Sequence, residues 1–245
     1  VAPASITLIG TDDVALVTGP IAPNSVTNDD KPTFSGTTEG NAVVSVYDGA
    51  TLLGTTTANG SGVWSFTPTT AMATGTHSVT ATATDAYGNT TAPTTALPFS
   101  IDTTAPVAVA DTNSGTEDAA SVTGTVATND TSKDGSETFA LVGSGTGTKG
   151  TVVINANGSY TYTRTTSADE ITANLVETFT YSVTDAAGNT SQSTLKITLT
   201  PVNDAATFTG DINKTITETN AAQSVGGTLT VADVDSATTV VAQTA

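Results

Sequence analysis

Residues 77–84 read HSVTATAT, a strict alternation of polar with small or apolar side chains. A period of two puts every second side chain on one face of an extended strand. This stretch therefore calls for a sheet with one buried face and excludes an amphipathic helix. The signal returns as NAVVSVY (41–47), VWSF (63–66), SYTY (159–162), TFTYSVT (178–184) and LKITL (195–199). Turn residues separate such runs about every 8–12 residues, the rhythm of a β-sandwich. Disorder is the competing reading of 5% aromatic residues and a net charge of −17, but a disordered chain has no reason to alternate.

The alternation is also repeated at long range. TATDAYGNTT (82–91) is echoed by SVTDAAGNTS (182–191), so Asp85 and Asp185, like Gly88 and Gly188, lie 100 residues apart. A period near 100 is the length of one seven-stranded sandwich and far too long for a solenoid repeat. In both copies a strand runs into D-A-x-G-N, where Gly supplies positive φ and Asn tolerates it. FSIDTTAP (99–106) and LTPVNDA (199–205) are short and carry Pro, Asp or Asn, as stiff junctions do. The expected organisation is three all-β modules, at 1–104, 105–202 and 203–245. The last is too short for a sandwich of its own and reads as the start of a further module.

Composition narrows the function. Of 245 residues, 57 are Thr and none is Cys, so strands are favoured while disulfides and thiolate metal sites are excluded. Twenty-three acids against six Lys and Arg give the wrong sign for a nucleic-acid partner. No apolar run reaches the roughly 18 residues of a membrane-inserted helix. The chain holds one histidine, His77, within an alternating strand. It carries no nucleophile elbow, zinc motif or phosphate loop, so an enzyme is not expected. Asp169–Glu170 reads as a charged loop rather than a catalytic carboxylate pair. Trp64, Tyr160 and Tyr162 read as a core Trp and strand-face tyrosines ahead of a sugar platform.

The placement of the acids is informative. They gather at turns and module ends: Asp12–Asp13, Asn28–Asp29–Asp30, Asp85, Asp102, Asp111, Glu117–Asp118, Asn129–Asp130, Asp134, Asp185, Asn203–Asp204, Asp233 and Asp235. Carboxylates packed closely repel unless a cation lies among them. Oxygen ligands in flexible loops suit Ca²⁺ over Mg²⁺. Asp and Asn are also the commonest turn formers, so for any single residue both readings stand. No EF-hand loop is present, since ADVDS (232–236) lacks the downstream Gly and Glu.

Residues 1–106 resemble a bacterial immunoglobulin-like repeat of large biofilm adhesins secreted by the type I pathway, the RTX adhesins. The resemblance lies in TDDVALVTGPI (11–21), TNDDKPTFSGTTEGNAVVSVYDGATLLGTT (27–56), SGVWSFTP (61–68), GTHSVTATATDAYGN (75–89) and IDTTAP (101–106). The second module resembles a cadherin-like or VCBS-type repeat through ADTNSGTEDAA (110–120), ATND (127–130), DGSETF (134–139), NGSYTYT (157–163), FTYSVTDAAGNT (179–190) and TPVNDA (200–205). GTLTVADVDS (227–236) is similar to the opening of another VCBS repeat.

These resemblances imply an extracellular extender array, stiffened by Ca²⁺, between an outer-membrane anchor and a distal adhesive tip. Its partners would be neighbouring modules of the same long chain. They further imply Asp85 and Asp102 as ligands at the first junction, joined by Asp111 or Asp130. Glu117 would lie at the base of the second module with Asp185 beside it. Asn203 and Asp204 would serve the next linker, with Asp233 and Asp235 from the third module. Asp12 and Asp13 would face whatever precedes Val1, and Asp30, Asp118 and Asp134 complete the clusters. The linker PVNDA lacks the fuller acidic linker of true cadherins. Two alternatives belong to other classes: a glycan- or ice-binding tip, and a filament or surface-layer subunit assembled by strand addition.

Overall fold

The structure is a computed structural model. It describes residues 3, 5–131, 136–165, 171, 173–211, 213, 215, 217, 219–223 and 225–233. Asp134, Asp169, Glu170 and Asp235 lie outside the described residues.

The first nine strands are β1 (Ile9–Asp12), β2 (Gly19–Pro20), β3 (Val26–Thr27), β4 (Thr33–Thr37), β5 (Val43–Asp48), β6 (Thr51–Thr57), β7 (Val63–Phe66), β8 (Gly75–Thr84) and β9 (Leu97–Ile101). They form a four-stranded sheet in the order β2-β1-β4-β7 and a five-stranded sheet in the order β3-β9-β8-β5-β6. The alternation of 77–84 does what its period requires: Val79, Ala81 and Ala83 are fully buried, while Ser78, Thr80 and Thr82 are not. Phe34, Val44, Val46, Trp64, Phe99 and Ile101 complete this core. His77 is held locally, with Nδ1 2.7 Å from Asp48 Oδ2 and Nε2 2.7 Å from the Ala73 carbonyl.

Next come β10 (Asp111–Thr116), β11 (Ser121–Thr125), β12 (Thr138–Val142), β13 (Gly150–Ile154), β14 (Ser159–Arg164), β15 (Leu175–Thr184) and β16 (Thr190–Thr200). Their sheets run β10-β16-β15-β12 and β11-β14-β13. The core draws Phe179, Tyr181 and Val183 from β15 and Leu195, Ile197 and Leu199 from β16, each at a period of two. Tyr160 and Tyr162 are buried too, so the tyrosines face inward and offer no exposed platform. The pairings of β3 with β9 and of β10 with β16 are parallel. Finally, β17 (Thr207–Gly210) and β18 (Leu229–Ala232) pair as an antiparallel hairpin whose Phe208 is 57% exposed.

By contacts the chain divides into two compact units. The first comprises Val1–Ala108, Asp130–Phe139 and Ser182–Gln192, and the second Val109–Asn129, Ala140–Tyr181 and Ser193–Ala245.

Candidate metal centre

Strand direction decides which acids share a neighbourhood. β8 and β9 are antiparallel, with Gly75 opposite Ile101. Asp102 therefore lies beside the start of β8, whereas Asp85 follows its last residue, about 30 Å away along the strand. The pairing of Asp85 with Asp102 expected from the sequence does not form. β3 runs parallel to β9, with Thr27 opposite Ile101, and Asp102 N–H donates to the Thr27 carbonyl at 2.9 Å. The acids near Thr27 thus lie at the end where the chain leaves β9.

Thr27 organises that end. Its hydroxyl donates to Asp12 Oδ2 at 2.6 Å and accepts from Asp29 N–H at 3.0 Å. Val14 N–H donates to Asp12 Oδ1 at 2.9 Å. Lys31 and Asp13 N–H donate to Asp29 Oδ1 and Oδ2, at 2.8 and 3.3 Å. Asp12 and Asp29 are buried, and Asp13 is exposed. Asp12 ends β1 and Asp13 follows it, at the opposite end of that strand from Ile9 where the chain enters it, correcting the expectation that they face whatever precedes Val1. Burial pushes the Asp29 carboxyl above the usual carboxylate range; the Lys31 and Asp13 N–H groups oppose this, and the charges of Asp13 and Asp12 add to it. Asp30 is half-buried, and its carbonyl accepts from Met72 N–H.

The second D-A-x-G-N loop reaches the same neighbourhood within the first compact unit. Asn189 Nδ2 donates to the Asp102 carbonyl at 2.8 Å and to Asp185 Oδ2 at 3.0 Å. Space around Gly188 is closed by Val17 and Asn28. Asp130 is buried in this unit as well.

Whether these groups suit a hard cation can be tested on their unused bonding capacity. The donors are all oxygen. Each carboxylate oxygen of Asp12 and Asp29 accepts a single hydrogen bond, leaving lone pairs free. Asn28 Oδ1 is buried with no hydrogen-bond partner, an atom that costs free energy unless something coordinates it. The donor set fits Ca²⁺. Among the described residues, no three His, Asp or Glu side chains are already drawn around one point. Of these groups, Thr27 and Asn189 were not singled out from sequence, and Asn28 and Asp29 only as members of the acidic cluster 28–30. Their signal was present in the NDD and GNT runs, but the partners are far apart in the chain.

The other candidates have separate roles. Asp85 is held by its own loop: Oδ1 accepts from Tyr87 and Asn89 N–H, both at 2.8 Å, and Oδ2 from Asn89 Nδ2 at 2.7 Å. The Asn89 side chain chiefly pulls this carboxyl below its ordinary range, against a smaller desolvation effect. Asp111 Oδ2 accepts from the Tyr181 hydroxyl at 2.9 Å. Glu117 is 0% exposed and takes Val202 N–H on Oε1 at 2.6 Å and Ile171 N–H on Oε2 at 3.2 Å. Thr116 lies opposite Thr200 at the end of β16, whereas Asp185 precedes the start of that strand. Glu117 and Asp185 are thus not side by side as expected. Asp118 is exposed, Asp204 and Asp233 are half-buried, and Asn203 Nδ2 donates to the Asp204 carbonyl.

An all-β chain of successive sandwiches, with oxygen-rich turns at one end of the first, belongs to the class of tandem immunoglobulin-like and cadherin-like domains. Residues 5–103 match the family model of the bacterial Ig-like domain and residues 103–201 that of the bacterial cadherin-like domain. The chain carries the first followed by the second. No curated protein sequence matches it. Among solved structures it is similar to the fibronectin(III)-like modules of Clostridium thermocellum CbhA, with 16% identity, 80% of this chain and 95% of that chain covered, and a TM-score of 0.38. A 1.5-MDa bacterial ice-binding adhesin shares 20% identity over 80% of this chain and 73% of that chain, with a TM-score of 0.38. Protocadherin Gamma B7 cadherin domains 1–4 share 14% identity over 89% and 59%, with a TM-score of 0.36. At these scores the likenesses carry no functional argument.

Proposed function

We propose that this chain is an extender segment of a bacterial cell-surface adhesin, with modules at 1–104, 105–202 and 203–245, stiffened by Ca²⁺ and supporting adhesion in biofilms. Other parts of the full protein would hold it at the outer membrane. The observation that carries the reading is the joining of Asp12 and Asp29 through the Thr27 hydroxyl, with Asp13 N–H on Asp29 and Asp102 N–H on the Thr27 carbonyl, beside the orphaned Asn28 Oδ1. Asp12, Asp13, Asp29, Asn28 and Asp185 would hold the ion there, and its charge would offset the burial, and the lesser repulsion from Asp13 and Asp12, that raise the Asp29 carboxyl. Extracellular calcium modules bind with Kd of about 10⁻⁴–10⁻³ M. Calcium at about 10 mM then adds roughly 1.4–2.7 kcal/mol per site, a large share of a domain stability of about 5–15 kcal/mol.

Thermal unfolding and small-angle scattering of the chain in millimolar Ca²⁺, Mg²⁺ or EDTA test this. A calcium-specific rise in Tm with a stiffer, longer particle is expected. Identical behaviour in all three would sink the calcium reading and reduce the acids to turn formers.

A further inference from the structure

The two D-A-x-G-N loops are built alike and covered differently. In each, Asp N–H donates to the Asn carbonyl and Gly N–H to the Asp carbonyl. The Asn side chain donates to the Asp carboxylate in both, and Gly88 and Gly188 have φ of +84° and +92°. Yet Ala187 is 0% exposed, with Gly188 and Asp185 also buried, whereas its counterpart Tyr87 is 91% exposed and Gly88 lies open. Asn189 uses Nδ2 twice, on Asp185 and on the Asp102 carbonyl. Asn89 uses Nδ2 once, on Asp85.

What covers the second loop is the exit end of the Ig-like domain: the carbonyl of Asp102, Asn28, and Val17 beside Gly188. That end also leaves apolar surface bare, with Leu16 69% and Val17 45% exposed. Ala187 is too small to cover it. A tyrosine at that position of the loop has the reach and the apolar area to do so.

We propose that the Asp85–Asn89 loop is a docking surface for the exit end of another Ig-like domain of this type. Tyr87 packs on the residues equivalent to Leu16 and Val17, and Asn89 Nδ2 donates its second N–H to the carbonyl equivalent to that of Asp102. A solvent-exposed Tyr flanked by an unused amide donor is thereby explained without a small-molecule ligand. The inference rests on the reading of the chain as part of an array, but it does not require calcium.

The test extends the full chain by a further copy of residues 1–105 joined ahead of residue 3, with Tyr87→Phe in the added copy so that one Tyr87 remains. Hydroxyl-radical footprinting then compares Tyr87 in the extended and original chains. Several-fold slower oxidation of Tyr87 in the extended chain is expected, in Ca²⁺ and in EDTA alike. Leu16→Ser with Val17→Ser in the added copy, both at exposed loop positions, should restore the original rate. Equal oxidation in the two chains, or protection that survives the double serine variant, would overturn the docking. Small-angle scattering of the same samples reports separately on the extender reading. A chain that lengthens by about one domain while Tyr87 stays open refutes the docking alone; a chain that does not lengthen refutes the extender itself.

Discussion

The hydroxyl of Thr27 lies 2.6 Å from Asp12 Oδ2 and accepts the Asp29 N–H at 3.0 Å, so one side chain ties the end of β1 to the turn after β3 at the exit end of the Ig-like domain. Thr27→Val keeps the shape and removes both bonds. A buried carboxylate and a buried N–H then lose a partner, and the cost should be about 2–4 kcal/mol. Denaturant unfolding of the variant, with the slope unchanged, measures it.

Asp29 gives a prediction whose sign depends on the ion. Its carboxyl is raised in the folded state, so the folded chain binds a proton more tightly than the unfolded chain. This contribution favours folding below the unfolded value and turns against it as pH rises through the folded one. In EDTA at neutral pH, Asp29→Asn should therefore raise Tm slightly. In millimolar Ca²⁺ the same variant should melt below the wild type. Calorimetry in both buffers decides it, and parallel shifts would remove Asp29 from the site.

The Asp85 carboxyl is shifted the other way. Its folded value is lowered, so its contribution is present above the unfolded value of about 3.8 and is lost as pH falls through the folded one. Asp85→Ala should speed amide exchange at Tyr87 and Asn89 at neutral pH. Acidifying the wild type should bring its exchange free energies towards those of the variant.

Glu117 was expected to be a calcium ligand. The structure gives both its oxygens to main-chain N–H groups, of Val202 and Ile171. Replacing it by Ala strands two donors, for a loss of about 3 kcal/mol or more. If Glu117 acts as a backbone tie, that loss will be the same in Ca²⁺ and in EDTA; a loss confined to calcium buffer would return it to the ligand set.

Much of this molecule was legible in its sequence. Period-two alternation requires a strand with one buried face, and the buried Val79, Ala81 and Ala83 follow from it directly. The 100-residue echo of Asp85 in Asp185 marked two loops of one design, because an Asx turn closed by a positive-φ glycine is written in five consecutive residues. Which acids meet was not legible. Asp85 and Asp102 are 17 positions apart yet lie at opposite ends of β8, since antiparallel pairing of β8 with β9 sends them apart. Asp12 and Asp102 are 90 positions apart yet share Thr27, because β3 adds in parallel beside β9. Asn189 reaches the Asp102 carbonyl across 87 positions. Local hydrogen bonds and side-chain alternation are set by neighbours in the chain, so the sequence alone determined the strands and the loops. Strand direction and register are settled by which apolar faces pack together, and only the tertiary structure decided which acidic turns share an end of the domain.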